Sequence, residues 1–225
     1  MSVELRLALQ EARASDLAER VRRLLGPFSG TEAALDAGCG TGALAFALAP
    51  HVAEVVGLDP RADYLEAGRA AAPDNVRFVE GDVTELAFGY ASFDLACCHR
   101  VLHHVRRPEL AVSELARVTR PGGRILIADQ LGSVDPLRSL EMDRFERLRD
   151  PTHQRLLPDS DIRGYLDAND LVLLISEVTH EQIDVEQRLD LAGASEEDRE
   201  RIRGPAPAEP YDVEIGWYVS RKAGP

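Results

Sequence analysis

The sequence predicts an α/β fold: a doubly wound, mostly parallel seven-stranded sheet with helices on both faces and an antiparallel last strand. Three observations support this prediction. Short apolar runs alternate with helix-like segments from residue 33 to residue 128, a pattern typical of parallel strands covered by helices. A glycine-rich turn joins the first run to the next helix. Near the end of the chain, apolar and polar residues alternate over 212–220, which indicates a half-exposed strand.

The individual elements follow from local patterns in chain order. Leucine and valine recur at near-helical spacing from residue 5 to residue 24, so an amphipathic helix is expected to end at Gly26 and Pro27. The predicted strands are 33–37, 52–58, 76–80, 93–98, 124–128, 171–178 and 212–220. The predicted helices are 42–49, 62–71, 109–118, 134–148 and 159–168, with a charge-rich helical region at 185–203 and a loop at 206–210. Because no repeat or long linker divides the chain, residues 1–225 are expected to form one domain.

The composition is that of a globular protein, and it narrows the range of partners. A net charge of −13 and a pI of about 4.9 argue against binding to nucleic acid, which needs clustered Lys and Arg. The three cysteines, Cys39, Cys97 and Cys98, do not form a disulfide framework, because their number is odd and two are adjacent. The N-terminal segment is charged, unlike a signal peptide, and no apolar run approaches the roughly 20 residues that span a bilayer. A cytoplasmic protein without a membrane span is therefore expected.

A glycine loop follows the first predicted strand. It runs from Asp36 to Gly42 with the spacing G-x-G-x-G, which differs from the G-x-G-x-x-G of dinucleotide-binding loops. Glycines permit a sharp turn and let a ligand approach the backbone. The carboxylate of Asp36 would repel a pyrophosphate, so the loop suits a ligand that carries positive charge nearby. A methionine-like amino group and a sulfonium fit that description.

Carboxylates also follow the next two strands. Asp59 ends the second strand, where a carboxylate is able to accept hydrogen bonds from both hydroxyls of a ribose. Asp82 follows the third strand, where it is placed to accept from the amino group of an adenine while the Val83 backbone N–H donates to the ring. Ligands of open α/β sheets bind at the carboxyl ends of the strands. These residues are therefore expected to surround one crevice.

The same residues belong to a longer series of short motifs. The series is Leu-Asp-Ala-Gly-Cys-Gly-Thr-Gly at 35–42, Val-Gly-Leu-Asp at 56–59, Gly-Asp-Val at 81–83, Phe-Asp at 93–94 and Arg-Pro-Gly-Gly-Arg at 120–124. In this order it resembles the class I S-adenosylmethionine-dependent methyltransferases over residues 33–127. The segments 98–104 and 147–153 are similar to a bacterial subgroup related to the ubiquinone/menaquinone C-methyltransferases, the type 11 methyltransferase domain.

The resemblance implies a Rossmann-like fold, S-adenosylmethionine as cofactor and S-adenosylhomocysteine as product. It places the methionine end of the cofactor after the first strand, the ribose after the second, the adenine after the third and the sulfur near the end of the fourth. The cofactor-binding residues expected on this basis are Asp36, Gly38, Cys39, Gly40, Gly42, Asp59, Pro60, Asp82, Val83, Cys98 and His99.

The expected reaction is an in-line transfer of the methyl group from the sulfonium to a small-molecule acceptor in a pocket that excludes water. An oxygen or carbon acid would need a base, and the candidates are His153, His103 and Asp129. For His153 and Asp129 the alternative is a structural role in a turn or cap. His103 and His104 are adjacent and would face different directions on a helix, so no metal site is expected.

The segments 1–28 and 134–168 lie outside the alternation and are expected to cover the active site. The side chains predicted to form an apolar pocket there, suited to a small aromatic or isoprenoid-like molecule, are Phe28, Phe145, Leu148 and Leu156. Two other functions stay open: a non-catalytic S-adenosylmethionine-binding scaffold, and an NAD(P) oxidoreductase, against which the glycine spacing and Asp36 argue. The acceptor atom (carbon, oxygen or nitrogen) and the choice between monomer and homodimer are also open.

Overall fold

The computed structural model describes residues 3–186, 189, 195–203 and 211–224. Its helices are α1 (Val3–Leu25), α2 (Ala43–Leu48), α3 (Ala62–Ala70), α4 (Pro108–Val118), α5 (Pro136–Arg149), α6 (Asp159–Asp167) and α7 (Glu196–Arg203), with a short 3-10 helix at Leu102–His104. Its strands are β1 (Ala33–Ala37), β2 (Glu54–Asp59), β3 (Val76–Glu80), β4 (Phe93–His99), β5 (Thr119–Gln130), β6 (Leu171–Ile183) and β7 (Tyr211–Lys222). The predicted loop at 206–210 and part of the helical region predicted at 185–203 lie outside the described residues.

The strands form one sheet in the order β3-β2-β1-β4-β5-β7-β6. The first five pair in parallel, and β7 pairs antiparallel with both β5 and β6. The predicted fold class is confirmed. The prediction of a half-exposed last strand is wrong, because β7 lies between two strands and buries both Trp217 and Tyr218, which point to opposite faces. The edge strand next to β7 is β6, which continues to Ile183, well past its predicted end at 178.

Both faces of the sheet are buried. Neighbouring residues of one strand join opposite cores: Leu126 packs in the core that contains the apolar side of α1, whereas Ile125 and Ile127 pack in the core under α4. Burial on both faces explains why the parallel strands are nearly continuous apolar runs. Parallel pairing places the carboxyl ends of β1 to β5 at one edge of the sheet.

The helix α1 covers that edge. Its C-terminal half is part of the core through Leu17, Val21 and Leu24. Its N-terminal half passes over the glycine loop, where the Thr41 hydroxyl donates a hydrogen bond to Gln10 at 2.5 Å. None of the helices described is long and apolar enough to cross a bilayer. The organisation of the whole chain as one domain stays a prediction.

Candidate active site

The glycine loop is held against β2 by its own backbone. The N–H groups of Gly38 and Cys39 both donate to the Leu58 carbonyl, at 2.7 and 2.9 Å. Gly38 has a φ of 80°, and a β-carbon there would lie 2.4 Å from Val101 Cγ2. Any side chain at Gly38 would therefore meet both backbone strain and a collision. The conformation of the loop at this position therefore requires glycine.

Asp36 lies behind the loop. Its carboxylate is buried and accepts a hydrogen bond from the Ala45 N–H in the first turn of α2, at 2.9 Å. Burial raises the pKa of Asp36 to about 7, and the Ala45 hydrogen bond offsets this only in part. The residue was predicted to contact a cofactor, but it is not among the residues that line the two cavities described below. In this structure it ties the glycine loop to the start of α2.

A first cavity, of about 490 Å³, opens beside the loop. It is bounded by Gly38, by Asp59 and Pro60 at the end of β2, and by Asp82 and Val83 after β3. The two oxygens of Asp59 accept hydrogen bonds from the backbone N–H groups of Gly40 and Arg61, at 2.8 and 3.0 Å. Because a carboxylate has about four lone-pair positions, both oxygens keep capacity for a ligand. Asp82 accepts from the backbone and the hydroxyl of Thr84, at 2.8 and 2.7 Å.

A second, smaller cavity of about 120 Å³ lies under α1. Its wall includes His99 at the end of β4, His103 and His104 of the 3-10 helix, Gln130 of β5 and Trp217 of β7. The His99 ring stacks on Trp217 with 5.4 Å between the ring centroids. Burial lowers the pKa of His99 to about 3, and the charges of Arg100 and Arg6 lower it further. His99 is therefore neutral near pH 7.

Arg6, Arg100, His104 and Asp150 line both cavities, so the two are neighbours with a shared wall. Arg100 has a φ of 58°, a left-handed conformation that costs energy for a residue with a side chain. Its guanidinium donates to Glu181 of β6, which Arg13 of α1 also contacts at 3.1 Å. The second cavity is thus closed by ion pairs between distant elements.

A buried carboxylate lies directly beneath His103. Asp129 accepts hydrogen bonds from the Nδ1 and the backbone N–H of His103 and from the Gln130 N–H. Burial alone would raise the pKa of Asp129, but the neighbouring His103 and these hydrogen bonds outweigh it, so the pKa is lowered. An ionised Asp129 keeps the imidazole proton on Nδ1 and leaves Nε2 as the proton acceptor.

His153 lies behind His103 and not at a cavity wall. Its ring is buried, its Nε2 is 2.8 Å from Asp143 Oδ1, and its centroid is 5.7 Å from that of His103. His153 was predicted as a catalytic residue, but it is not among the lining residues of either cavity. The structural alternative fits better, because the adjacent Gln154 backbone N–H donates to the His103 carbonyl at 2.8 Å.

The expectation that His103 and His104 face different directions is wrong. Both line the second cavity, with ring centroids 4.0 Å apart, because they lie in a tight 3-10 turn and not in an α-helix. Burial lowers the pKa of His104 to about 4, with a further contribution from His103. Across the part of the chain that the structure describes, no three His, Cys, Asp or Glu side chains are grouped so as to hold a metal ion.

The predicted apolar pocket is also wrong. Phe145, Leu148 and Phe28 pack in the core around α1, and Leu156 is buried beside Gly132. None of these four side chains lines either cavity described above. Most of the residues that line the second cavity are polar or charged. The four apolar side chains instead attach the segments 1–28 and 134–168 to the rest of the protein.

Comparison with known proteins identifies the family. Residues 35–127 match the family described as a methyltransferase domain. Over these residues the chain contains a methyltransferase domain, and the region is similar to the class I S-adenosylmethionine-dependent methyltransferases. The methyltransferase family predicted from the motifs is therefore confirmed. The matched segment begins within β1 and contains β2 to β4, most of β5 and every cofactor-binding residue that the sequence predicted.

Several relatives share this methyltransferase region. The uncharacterized methyltransferase YcgJ of Bacillus subtilis is 36% identical over 141 residues, which are 61% of this chain and 56% of that protein. A demethylmenaquinone methyltransferase of Clavibacter sepedonicus is 41% identical over 109 residues, 48% of this chain and 44% of that protein. The chain thus matches about half the length of these curated relatives.

Solved structures resemble the chain over nearly its full length. The crystal structure of Bacillus subtilis YcgJ has a TM-score of 0.86 at 24% identity, covering 94% of this chain and 100% of that one. The structure of a putative methyltransferase from Bacillus halodurans has a TM-score of 0.83 at 26% identity, covering 93% and 99%. The fold of the chain, including the strands after the matched segment, is therefore shared with these structures.

The predicted site residues fall into two groups in the structure. Those that line a cavity are Gly38, Asp59, Pro60, Asp82, Val83, His99 and His103. Those that lie behind the lining, in the loop or beneath it, are Asp36, Cys39, Gly40, Gly42, Cys98, Asp129 and His153. Burial raises the pKa of the Cys98 thiol well above its usual value, so this side chain is a neutral packing group.

Sequence reasoning missed many of the polar and aromatic residues that line the cavities. Among them are Arg6, Arg13, Tyr64, Arg100 and Trp217. The sequence of α1 does indicate arginines among its apolar positions. Neighbouring residues in the sequence do not indicate which of these arginines line the site. The left-handed conformation of Arg100 has no sequence signal.

Proposed function

We propose that this chain transfers the methyl group of S-adenosylmethionine to a small polar acceptor. The observation that carries the proposal is the pair of adjoining cavities: one surrounded by strand-end carboxylates and the glycine loop, the other by His103 and its buried partner Asp129. The first cavity suits the nucleoside of the cofactor. The second cavity lies next to it and suits an acceptor that must lose a proton.

The residues of the first cavity fit the cofactor chemically. Asp59 keeps lone pairs for ribose hydroxyls, Asp82 offers a carboxylate to an exocyclic amine, and buried Val83 offers an apolar surface to the base. When bound, S-adenosylmethionine supplies an electrophilic methyl group on a sulfonium. The protein contributes position and exclusion of water, which are the main needs of an in-line transfer.

His103 is the base in this proposal. The acceptor loses its proton to His103 Nε2 as the bond to the methyl carbon forms, and Asp129 stabilises the imidazolium that results. Asp129 is therefore an orienting residue and not the base. His99 and His104 remain neutral because burial lowers the pKa of each.

The second cavity favours an enzyme over a non-catalytic scaffold. In a scaffold, side chains would be free to fill the space next to His103, whereas here the space is open and lined by groups able to form hydrogen bonds. Its small volume and the charged and hydrogen-bonding side chains in its wall favour a compact acceptor with a polar group over an isoprenoid chain.

Calorimetric titration with S-adenosylhomocysteine tests the cofactor assignment. We expect Asp59→Ala to weaken binding roughly 10- to 100-fold, because hydrogen bonds to a buried charged group contribute about 1.5–3 kcal/mol. Asp74→Ala, which removes an exposed carboxylate, is the matched control and should bind as the wild type does. Unchanged affinity in Asp59→Ala would contradict the ribose assignment. Consumption of S-adenosylmethionine with a panel of small acids, phenols and amines then identifies the acceptor.

A further inference from the structure

One cation from α1 lies on the glycine loop. The guanidinium of Arg6 packs so closely on Gly40 that a β-carbon there would be 2.7 Å from its Nη2 and 3.0 Å from its Nε. Arg6 is partly buried and lines both cavities. Its guanidinium has no ion-pair partner within the described ranges of the chain, although it lies 5.9 Å from the Tyr64 ring centroid.

The charges around the loop explain why a cation is needed there. The buried carboxylate of Asp59 lies beside the loop. It suits the ammonium and sulfonium of the proposed cofactor, but it repels the carboxylate at its methionine end. A guanidinium presents a planar set of donors that matches a carboxylate. Arg6 is the cation that packs on the loop itself.

We propose that Arg6 binds the carboxylate of the cofactor's methionine end, so that α1 completes the cofactor site from outside the matched segment 35–127. This inference rests on the proposed function, because it assumes that S-adenosylmethionine is the ligand. It makes the N-terminal half of α1 a part of cofactor recognition and not only a cover.

The attachment of α1 supports this role. Its C-terminal half is fixed by core packing and by an ion pair between Arg23 and Glu177, with 2.8 Å between nitrogen and oxygen. Its N-terminal half is held by the buried Leu5, by the hydrogen bond between Gln10 and Thr41 and by the ion pair between Arg13 and Glu181. A bound carboxylate at Arg6 would add a contact between this half and the glycine loop. Cofactor binding should therefore protect the first turns of α1 from hydrogen exchange.

Two ligands that differ only at the methionine end provide the test. S-adenosylhomocysteine carries the carboxylate, whereas 5′-methylthioadenosine has the same nucleoside and sulfur without it. We expect Arg6→Met to weaken S-adenosylhomocysteine binding roughly 10- to 100-fold in calorimetry and to leave 5′-methylthioadenosine binding unchanged. Arg6→Lys, which keeps the charge without the planar fork, should give a smaller loss. Arg22→Met, an exposed arginine on the same helix, is the control.

The outcomes separate the two proposals. Equal losses for both ligands in Arg6→Met, or no loss for either, would overturn the role of Arg6 while leaving the proposed function intact. A wild-type protein that binds neither ligand would overturn the proposed function and this inference together. Hydrogen exchange of residues 3–12 in the wild type provides a second readout that needs no variant. Protection by S-adenosylhomocysteine but not by 5′-methylthioadenosine is expected, and equal protection contradicts the proposal.

Discussion

The two cavities share a wall but are built in different ways. The wall of the first includes the turns that directly follow β1, β2 and β3, whose groups lie within a few residues of a buried strand, together with residues between Arg100 and Leu110. The second is assembled from α1, the 3-10 helix, β6 and β7, which are far apart in the chain. The turns of the first cavity depend on backbone geometry, whereas long side chains from distant elements close the second. The first should therefore respond to substitutions through stability and cofactor affinity, and the second through turnover.

The largest effect is expected in the second cavity. His103→Gln removes the proposed base, and we expect turnover of the identified acceptor to fall by about 10²–10⁴-fold, the usual contribution of general base catalysis. Affinity for S-adenosylhomocysteine should change little, because His103 is not among the residues that line the first cavity. Steady-state kinetics and calorimetry on the same preparation measure the two quantities.

His180→Gln is the control for that substitution, since His180 is exposed on β6. Asp129→Asn sharpens the test, because it keeps the shape of the orienting group but removes the charge that holds the proton on Nδ1. Wild-type turnover in His103→Gln would show that the acceptor needs no base from this residue. The proposal that the second cavity acts through turnover would then be contradicted.

The difference in construction also explains what the sequence predicts. The strands, the glycine loop and the residues after β2 and β3 are set by local patterns, so the sequence alone predicts Gly38, Asp59 and Asp82 at one edge of the sheet. The pattern cannot tell which side chains at that edge face inward. Asp36, for example, carries the same motif signal as Asp59 but lies behind the loop, bonded to α2.

The second cavity could not be predicted in this way. Arg13, Arg100 and Glu181 meet only because α1 and β6 fold against the end of β4, and no spacing in the sequence encodes that meeting. The apolar pocket was misplaced for a related reason. Apolar side chains in the cover, such as Phe145, are used to attach it to the core, and nothing in their pattern separates attachment from ligand contact.

A smaller effect is expected from Asp36, and it depends on pH. Because burial raises the pKa of Asp36 to about 7 in the folded protein, the folded state retains a proton that the unfolded chain releases near pH 4. Its contribution to stability is complete below about pH 4 and is lost as the pH rises through about 7. We expect Asp36→Asn, which keeps an acceptor for the Ala45 N–H, to be more stable than the wild type at pH 8, by at most a few kcal/mol.

Urea unfolding from pH 5 to pH 8 measures this difference. The gain of Asp36→Asn over the wild type should grow across that range, whereas Asp74→Asn, at an exposed position, should show no such trend. A difference that stays constant with pH would mean that Asp36 is ionised throughout. A negative charge would then be buried behind the loop, which supports a cationic ligand but contradicts the predicted pH dependence of stability.

The smallest effect is the excess cost of alanine at Gly38 over alanine at Gly122, and it tests whether backbone geometry alone shapes the first cavity. Gly38 and Gly122 have almost the same φ, 80° and 79°, but a β-carbon on Gly38 would collide with Val101, whereas one on Gly122 meets nothing within 4 Å. Gly122→Ala should cost about 1–2 kcal/mol for its left-handed backbone alone. Gly38→Ala should cost about 1–3 kcal/mol more, because overpacking is added to the same strain. Replacing Val101 by Ala in the Gly38→Ala background should recover most of that excess in a double-mutant cycle measured by urea unfolding. If Gly38→Ala costs no more than Gly122→Ala, the loop yields to side chains more easily than its close contacts suggest, and the first cavity is less rigid than the second.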